Sequence, residues 1–277
     1  MSATIIDGRK SAQTIKNQIS INLKSLKKEL GLGTILVGND PGSVSYVDGK
    51  HRDCSEVGIS SIKINLPISA SEDEIISAIE RLNKDPKCTG FIVQLPLPPS
   101  IDVQKVLSTI DPNKDADGLH PFNLGNLVLS KNSIIPCTPK AILTLLSEYK
   151  VNLSGTNVLI IGRGSTVGRP LSILLSQKNI DATVTLAHSV TKNLTNLIKN
   201  ADVVVAAVGK PHFIKPEMVK SGAVVIDVGI TRVQAELIGD VDPTVTNCAS
   251  VFAPMPGGVG PMTRAMLLTN LVELANR

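Results

Sequence analysis

Residues 158–171 read VLIIGRGSTVGRPL: an apolar run of strand type, then glycines at 162, 164 and 168, then the start of a helical pattern. A strand that ends in glycines and passes straight into a helix is the layout of a parallel α/β unit, and it turns the amides of the helix start toward whatever lies over the turn. Phosphate is the natural occupant. The spacing is one residue longer than G-x-G-x-x-G before the last glycine, and Arg163 fills the first variable slot. The extra residue displaces a pyrophosphate rather than excluding it. A bare structural turn is the competing account, because glycines also simply make turns; the strand–turn–helix context favours the nucleotide.

Working outward, strand-like runs alternate with helix-period segments along the chain, the pattern of α/β layers with a parallel sheet. GTILVG (33–38), SIKINL (61–66) and GFIVQL (90–95) read as strands of a first unit, with helices over 9–30, 43–57 and 71–83. Ser71 and Glu74 have capping-box spacing. After a helix at 139–149 come NVLII (157–161), ATVTL (182–186), DVVVAAV (202–208) and AVVIDV (223–228), a Rossmann-like half. The last segment, MTRAMLLTNLVELAN (262–276), reads as an amphipathic helix whose apolar face packs on the first domain. Two α/β domains are expected: an N-terminal one over 1–138, joined by the returning helix 262–277, and a nucleotide-binding one over 139–261. Linkers are expected near 130–138 and 253–261, where Pro or Gly is frequent.

The end of the second strand of that half tests which nucleotide binds. NAD-binding proteins place an acid there for the ribose 2′-hydroxyl. Here ATVTL runs into Ala187, His188 and Ser189, and Asp181 stands before the strand, at the wrong end. Arg163 and Ser189 suit a 2′-phosphate through charge-assisted hydrogen bonds. NADP is therefore the expected cofactor; the alternative for Arg163 is a solvated surface arginine.

Composition narrows the class further. With 277 residues and 42% hydrophobic content the chain can bury a sizeable core. No apolar stretch approaches the ~20 residues that span a bilayer, and MSATIIDGRK lacks the pattern of a secretory signal, so a cytoplasmic protein off the membrane is expected. Cys54, Cys88, Cys137 and Cys248 stand far apart, without C-x-x-C or histidine at metal-ligand spacing; reduced, structural cysteines and no metal are expected. The net charge of +4 is small, and Lys24, Lys27 and Lys28 read as the solvated face of a helix. Only 2% of residues are aromatic, too few for a base-stacking platform, so nucleic acid is not the expected partner.

Four segments could carry chemistry. SVSYVDGKHRD (43–53) sets Tyr46 and Lys50 four apart on one helical face, where a lysine in a dry cleft loses its charge readily and can move a proton. Taken alone, a lysine snorkelling beside a tyrosine on a surface helix is the better explanation of the pair. Gly49 disfavours helix by about 1 kcal/mol against Ala, which points to a need for small size. Gln94 ends a strand and is followed by prolines. Asp115 and Asp117 lie in a turn-like segment closed by Gly118, where turn formation is the simpler explanation for each. APMPGGVGPMTR (253–264) has few side chains and lets a ligand approach the main chain; an interdomain linker is the alternative.

Taken together, YVDGK, QLPLP, DPNKDADG, PCTP, GRGSTVG and PGGVGPMT occur in the order found in bifunctional methylenetetrahydrofolate dehydrogenase/methenyltetrahydrofolate cyclohydrolases, and the chain resembles that family over nearly its whole length. The resemblance implies two α/β domains around a cleft, a homodimer, and a place in one-carbon metabolism and purine biosynthesis. It implies NADP-dependent oxidation of 5,10-methylenetetrahydrofolate, then hydrolysis of the methenyl product in the same pocket. Lys50 would be the proton-transfer group, Tyr46 would stack on or orient the folate, Gln94 would hold the lysine and Asp117 would anchor the pterin. Leu95, Pro96, Pro256, Gly257, Gly258 and Val259 would complete the folate pocket. The cofactor would meet Gly162, Arg163, Gly164, Ser165, Val167, Gly168, His188, Ser189, Val208, Gly209 and Ile230. The mild positive balance suits the glutamate tail of folate and the NADP phosphates.

Three departures stand out. Gly164 replaces a serine usual in the family, which removes a hydroxyl from the cofactor phosphate and implies weaker NADP binding or better tolerance of NAD. Ala116 replaces a valine, and Gly49 is unusual in its segment; neither removes a functional group. The rival readings are a monofunctional NAD(P)-dependent dehydrogenase of this architecture, another NADP-dependent α/β enzyme such as a shikimate dehydrogenase, and a non-catalytic NADP-binding sensor. Intact Tyr46, Lys50, Gln94 and Asp117 argue against a sensor.

Overall fold

A computed structural model describes residues 3–26, 29–234 and 236–277. Lys27 and Lys28, two of the three lysines expected on a solvated helix face, lie outside the described residues; Lys24 is exposed near the end of its helix. The chain runs β1 (Thr4–Ile5), α1 (Gly8–Leu26), β2 (Gly31–Val37), α2 (Pro41–Val57), β3 (Ser60–Leu66), α3 (Glu72–Lys84), β4 (Gly90–Val93), α4 (Val103–Ser108) and α5 (Pro121–Val128). It continues through α6 (Cys137–Glu148), β5 (Asn157–Ile161), α7 (Gly168–Leu175), β6 (Thr183–Ala187), α8 (Leu194–Asn200), β7 (Val203–Ala206), β8 (Val224–Asp227), β9 (Thr231–Val233), β10 (Glu236–Ile238), β11 (Val251–Ala253) and α9 (Val259–Ala275).

These elements form two compact units, Gln13–Cys137 with Arg264–Arg277, and Met1–Ala12 with Thr138–Thr263. In the first, β2 lies between β3 and β4, all parallel. Every residue of β2 is buried, and its two glycines are steric necessities, since a Cβ on Gly33 would stand 2.7 Å from Phe91 Cβ and one on Gly31 2.1 Å from the Lys87 carbonyl oxygen. Ile35, Ile75, Ile79, Leu82, Phe91 and Val93 are the heart of this core. Ser71 caps α3 in the reciprocal arrangement with Glu74 that its spacing predicts.

The second unit is a six-stranded sheet in the order β1-β11-β8-β7-β5-β6, parallel throughout. Its central strands β5, β7 and β8 are nearly continuous buried Val, Ile and Leu runs, as expected where a parallel sheet is covered on both faces, whereas β6 (TVTLA) and β1 are partly exposed. The division differs from the expected one at the N-terminus. Thr4 and Ile5 pair with Val251 and Phe252, so the segment up to Ala12 groups with the nucleotide-type unit rather than with residues 13–137. A two-residue strand carries no periodicity, which is why the sequence does not announce it.

The last helix also differs. It has no solvent-exposed face: every residue from Val259 to Ala275 is buried or half-buried. The polar residues that look like an outer stripe are engaged instead. Asn270 is fully buried and donates from Nδ2 to the carbonyls of Ala116 and Ile135, both at 3.0 Å. Leu271 and Leu274 close over Gly90, where a Cβ would meet their methyls at 3.0 and 2.8 Å. A helix with no fully exposed residue needs satisfied polar groups rather than a strongly amphipathic pattern.

Candidate active site

In the six-stranded sheet β5 stands between β6 and β7, so the loops after β5 and β7 part at the point where the strand order reverses. Open parallel sheets bind ligands at that crevice, outside the carboxyl ends of the strands. The glycines after β5 are fixed by backbone crowding. Gly162 has φ +116°, and a Cβ on it would lie 2.1 Å from the Ala207 carbonyl oxygen; a Cβ on Gly168 would lie 1.8 Å from the Gly162 carbonyl oxygen. Gly164 is different, with only Thr166 Oγ1 at 4.0 Å from where its Cβ would stand. Arg163, Gly164 and Ser165 are exposed and Val167 is half-buried. Val167 caps α7 without a side-chain hydrogen bond, which leaves the helix start suited to an anion.

The neighbouring strand ends supply the remaining expected cofactor residues. His188 and Ser189 follow β6; Ser189 is exposed, and His188 Nδ1 is buried without a hydrogen-bond partner. Val208 and Gly209 follow β7, and Ile230, exposed, follows β8. The sequence reading missed what holds the Val208 loop. The fully buried Asp240 accepts from the amides of Val208 and Lys210, each at 2.6 Å, and of Gly209 at 3.1 Å. Contacts from Val208 and Gly209 to a cofactor are thereby left to carbonyls and side chain. Asp227 in turn accepts from the amides of Asp240 and Val241, while burial pushes its carboxyl up to about 7. Crowded glycine backbone, an open helix start and an orphaned imidazole nitrogen at one sheet edge fit a dinucleotide.

The other cluster forms on α2. Asp40 caps this helix, accepting from the Ser43 amide at 2.8 Å, and the helix carries Tyr46 and Lys50 to one side. Lys50 is only 6% exposed, its Nζ 4.7 Å from the centre of the Tyr46 ring, and it donates to Gln94 Oε1 at 2.9 Å. Gln94 donates from Nε2 to the Leu95 carbonyl at 2.7 Å, so its oxygen must face the lysine. Burial pushes the Lys50 amine below the usual lysine range, against the opposing charge of Asp117. The structure therefore brings Tyr46, Lys50, Gln94 and Asp117 together.

The two aspartates of the turn divide the work. Asp115, 1% exposed, accepts from the amides of Gly118 and His120 and from Asn123 Nδ2, and so builds the turn. Asp117, left half-buried, is the one whose charge reaches Lys50. Leu95 is half-buried and Pro96 exposed beside Gln94. Pro256, Gly257, Gly258 and Val259 belong to the other unit, at the start of α9. There Gly257 has φ +107°, Gly258 and Val259 are buried, and a Cβ on Gly8 would lie 1.8 Å from the Gly258 carbonyl oxygen. Among the described residues no group of three or more His, Cys, Asp or Glu is placed to hold a metal ion.

A desolvated lysine held by a glutamine, together with a parallel sheet carrying a crowded glycine-rich turn, defines an α/β protein with the parts of a nucleotide-dependent enzyme that also moves a proton. Residues 6–117 match the catalytic domain of the tetrahydrofolate dehydrogenase/cyclohydrolase family, and residues 136–277 match its NAD(P)-binding domain. The chain is similar to the bifunctional methylenetetrahydrofolate dehydrogenase/cyclohydrolase of Campylobacter jejuni, with 40% identity over 99% of each chain and a TM-score of 0.95. It is similar to the Trypanosoma brucei dehydrogenase-cyclohydrolase solved with NADP and an inhibitor, with 37% identity, 100% and 98% coverage and a TM-score of 0.96. The bifunctional enzyme of Thermoplasma acidophilum matches at 32% identity, 99% and 98% coverage and a TM-score of 0.91. The chain belongs to the tetrahydrofolate dehydrogenase/cyclohydrolase family.

Proposed function

We propose that the protein oxidises 5,10-methylenetetrahydrofolate to the methenyl form with NADP and then hydrolyses that product to 10-formyltetrahydrofolate. The observation that carries both steps is the buried Lys50–Gln94 pair in a chain that also carries the Gly162–Gly168 turn. NADP, when bound, accepts the hydride of the first step, which needs positioning rather than a protein nucleophile. Lys50 serves the second step. The methenyl bridge is cationic, so it disfavours an ammonium beside it and adds to the effect of burial on the amine. The free amine takes a proton from water as the water oxygen bonds to the bridge carbon. The carbon–N5 bond then breaks as the added hydroxyl loses its proton to solvent and becomes the formyl oxygen, N5 takes back the proton held by the amine, and the formyl group stays on N10. Gln94 holds the amine in place, Tyr46 orients the folate ring, and Asp117 anchors the pterin. Leu95 and Pro96, beside Gln94, line the folate site in this reading.

The test supplies methylenetetrahydrofolate and NADP and follows reduced cofactor and methenyl absorbance together. NADPH should appear without methenyl build-up. Absence of NADPH would remove the dehydrogenase activity from this reading, and methenyl accumulation to the spontaneous-hydrolysis limit would remove the cyclohydrolase.

Arg163 and Ser189 hold the 2′-phosphate in this reading. Arg163→Ala should lower the preference for NADP over NAD by about tenfold to a hundredfold, the worth of one charge-assisted hydrogen bond; an unchanged ratio would refute the assignment. The space at Gly164 leads to a second expectation. Gly164→Ser fits without a clash and should tighten NADP by about fivefold through one added hydroxyl, read as the NADP dissociation constant. Exposed Ile230, Val233 and Leu237, on and beside the β9–β10 hairpin, support a homodimer, which light scattering on the purified chain tests against a monomer. Cys54, Cys88 and Cys248, which form no disulfide, accord with a cytoplasmic location, tested by fractionation, where the product would feed purine biosynthesis.

A further inference from the structure

One charged cluster lies beside Lys50 and outside the roles assigned above. Asp53, one turn beyond Gly49 on α2, is 9% exposed in its side chain and is shared by two cations. Its Oδ1 lies 3.1 Å from Lys16 Nζ, and its Oδ2 lies 2.7 Å from Arg264 Nε, a close ion pair that lacks hydrogen-bond alignment. Lys16 also reaches Glu56 at 2.6 Å. The Arg264 guanidinium fills the place of the side chain that residue 49 does not have. A Cβ there would stand 2.5 Å from its Nη1 and 3.2 Å from its Cζ. Gly49 therefore costs helix propensity in order to seat a fixed cation against the backbone adjoining Lys50.

We propose that Arg264, seated on Gly49 and clamped by Asp53, is a positioning residue whose charge biases Lys50 toward the free amine that the cyclohydrolase step uses. The inference rests on Lys50 being the proton-transfer group. The charged and titratable groups around Lys50 include Tyr46, His51 and Cys54 from α2, with His51 held neutral by burial that lowers it to about 4, Asp117 from the turn after β4, Cys137 from the start of α6 and Arg264 from α9. Arg264 is the one cation in that set, and it acts together with burial against the stabilising charge of Asp117. Asp53 fixes where the guanidinium sits and also offsets part of its charge. A helix staple with no electrostatic role would use the same contacts, so the decisive readout is a pH profile.

The experiment is cyclohydrolase kcat against pH, above the uncatalysed rate, for the full chain and its Arg264→Met, Arg264→Lys, Asp53→Asn and Lys50→Met variants. The rate should rise with pH as Lys50 loses its proton. Arg264→Met should move that limb up by about 1 pH unit, an approximately tenfold loss of rate on the limb, whereas Arg264→Lys restores its place. Asp53→Asn should move it down, because the guanidinium then acts without its counter-charge. Opposite signs are not expected of a staple. If Arg264→Met fails to fold, Asp53→Asn decides alone: a downward shift supports the proposal and an unmoved limb overturns it. If Lys50→Met retains the wild-type limb, the reading of Lys50 fails instead; if it abolishes the limb while Arg264→Met leaves it in place, only the role of Arg264 is wrong.

Discussion

Lys50→Met is expected to lower cyclohydrolase kcat by about 10²- to 10⁴-fold, the range for loss of a positioned acid–base group, while leaving NADP affinity within about twofold, since Lys50 and the Gly162–Gly168 turn belong to separate compact units. Methionine keeps the length of the lysine stem, so the packing of a side chain only 6% exposed is preserved and the amine alone is removed. Gln94 Oε1 loses its donor, which costs roughly 1–3 kcal/mol of local stability. If the amine works as a free base, its pKa lowered by burial, wild-type activity should be present above that pKa and lost as the pH falls through it. Stopped methenyl absorbance at several pH values, with NADP binding measured in parallel, checks the result. Equal falls in both would mean that Lys50 supports the fold rather than the proton transfer.

Gly168→Ala should do the reverse. Its Cβ would stand 1.8 Å from the Gly162 carbonyl oxygen and 3.1 Å from Arg163 Cα, all backbone that cannot swing aside. The turn must open or α7 must shift, and either change moves the amides assigned to the NADP phosphates. NADP affinity should fall by at least about a hundredfold, or ~2.7 kcal/mol. Cyclohydrolase activity on supplied methenyltetrahydrofolate should stay within about threefold, because Lys50 and Gln94 belong to a separate compact unit. Calorimetric NADP titration beside the methenyl assay reads both. Unchanged NADP affinity would show that the turn does not carry the phosphates, and a matching fall in hydrolysis would make Gly168 a fold residue for the whole chain. The pair of variants thus separates two chemistries on one polypeptide.

Much of the architecture was legible because parallel strands are buried on both faces and read as short apolar runs. β5 occupies 157–161 as its run predicts, and β2, β3, β4, β6, β7 and β8 fall within a few residues of their expected positions, whereas β1 and β11 were not expected. The capping pair at Ser71 and Glu74 is a local device and was equally visible. What misled was the last helix, where spaced polar residues imitate a solvated face while Asn270 is in fact bonded to two buried carbonyls. Strand β1 gave no local signal. Asp240 was invisible as a support of the Val208 loop, because the bond joins residues about thirty apart in the chain.

The sequence by itself determined the alternation of strands and helices, the phosphate-type turn and the order of motifs that marks the family, since each depends on spacing along the chain. The tertiary structure alone decided which aspartate builds the turn and which charge reaches Lys50, why residue 49 must lack a side chain, and that Arg264 stands beside it. Those are matters of burial and of approach within a few ångströms between residues as far apart as 49 and 264. Burial and distance set the charge state of an amine, and neither is a property of spacing along a chain.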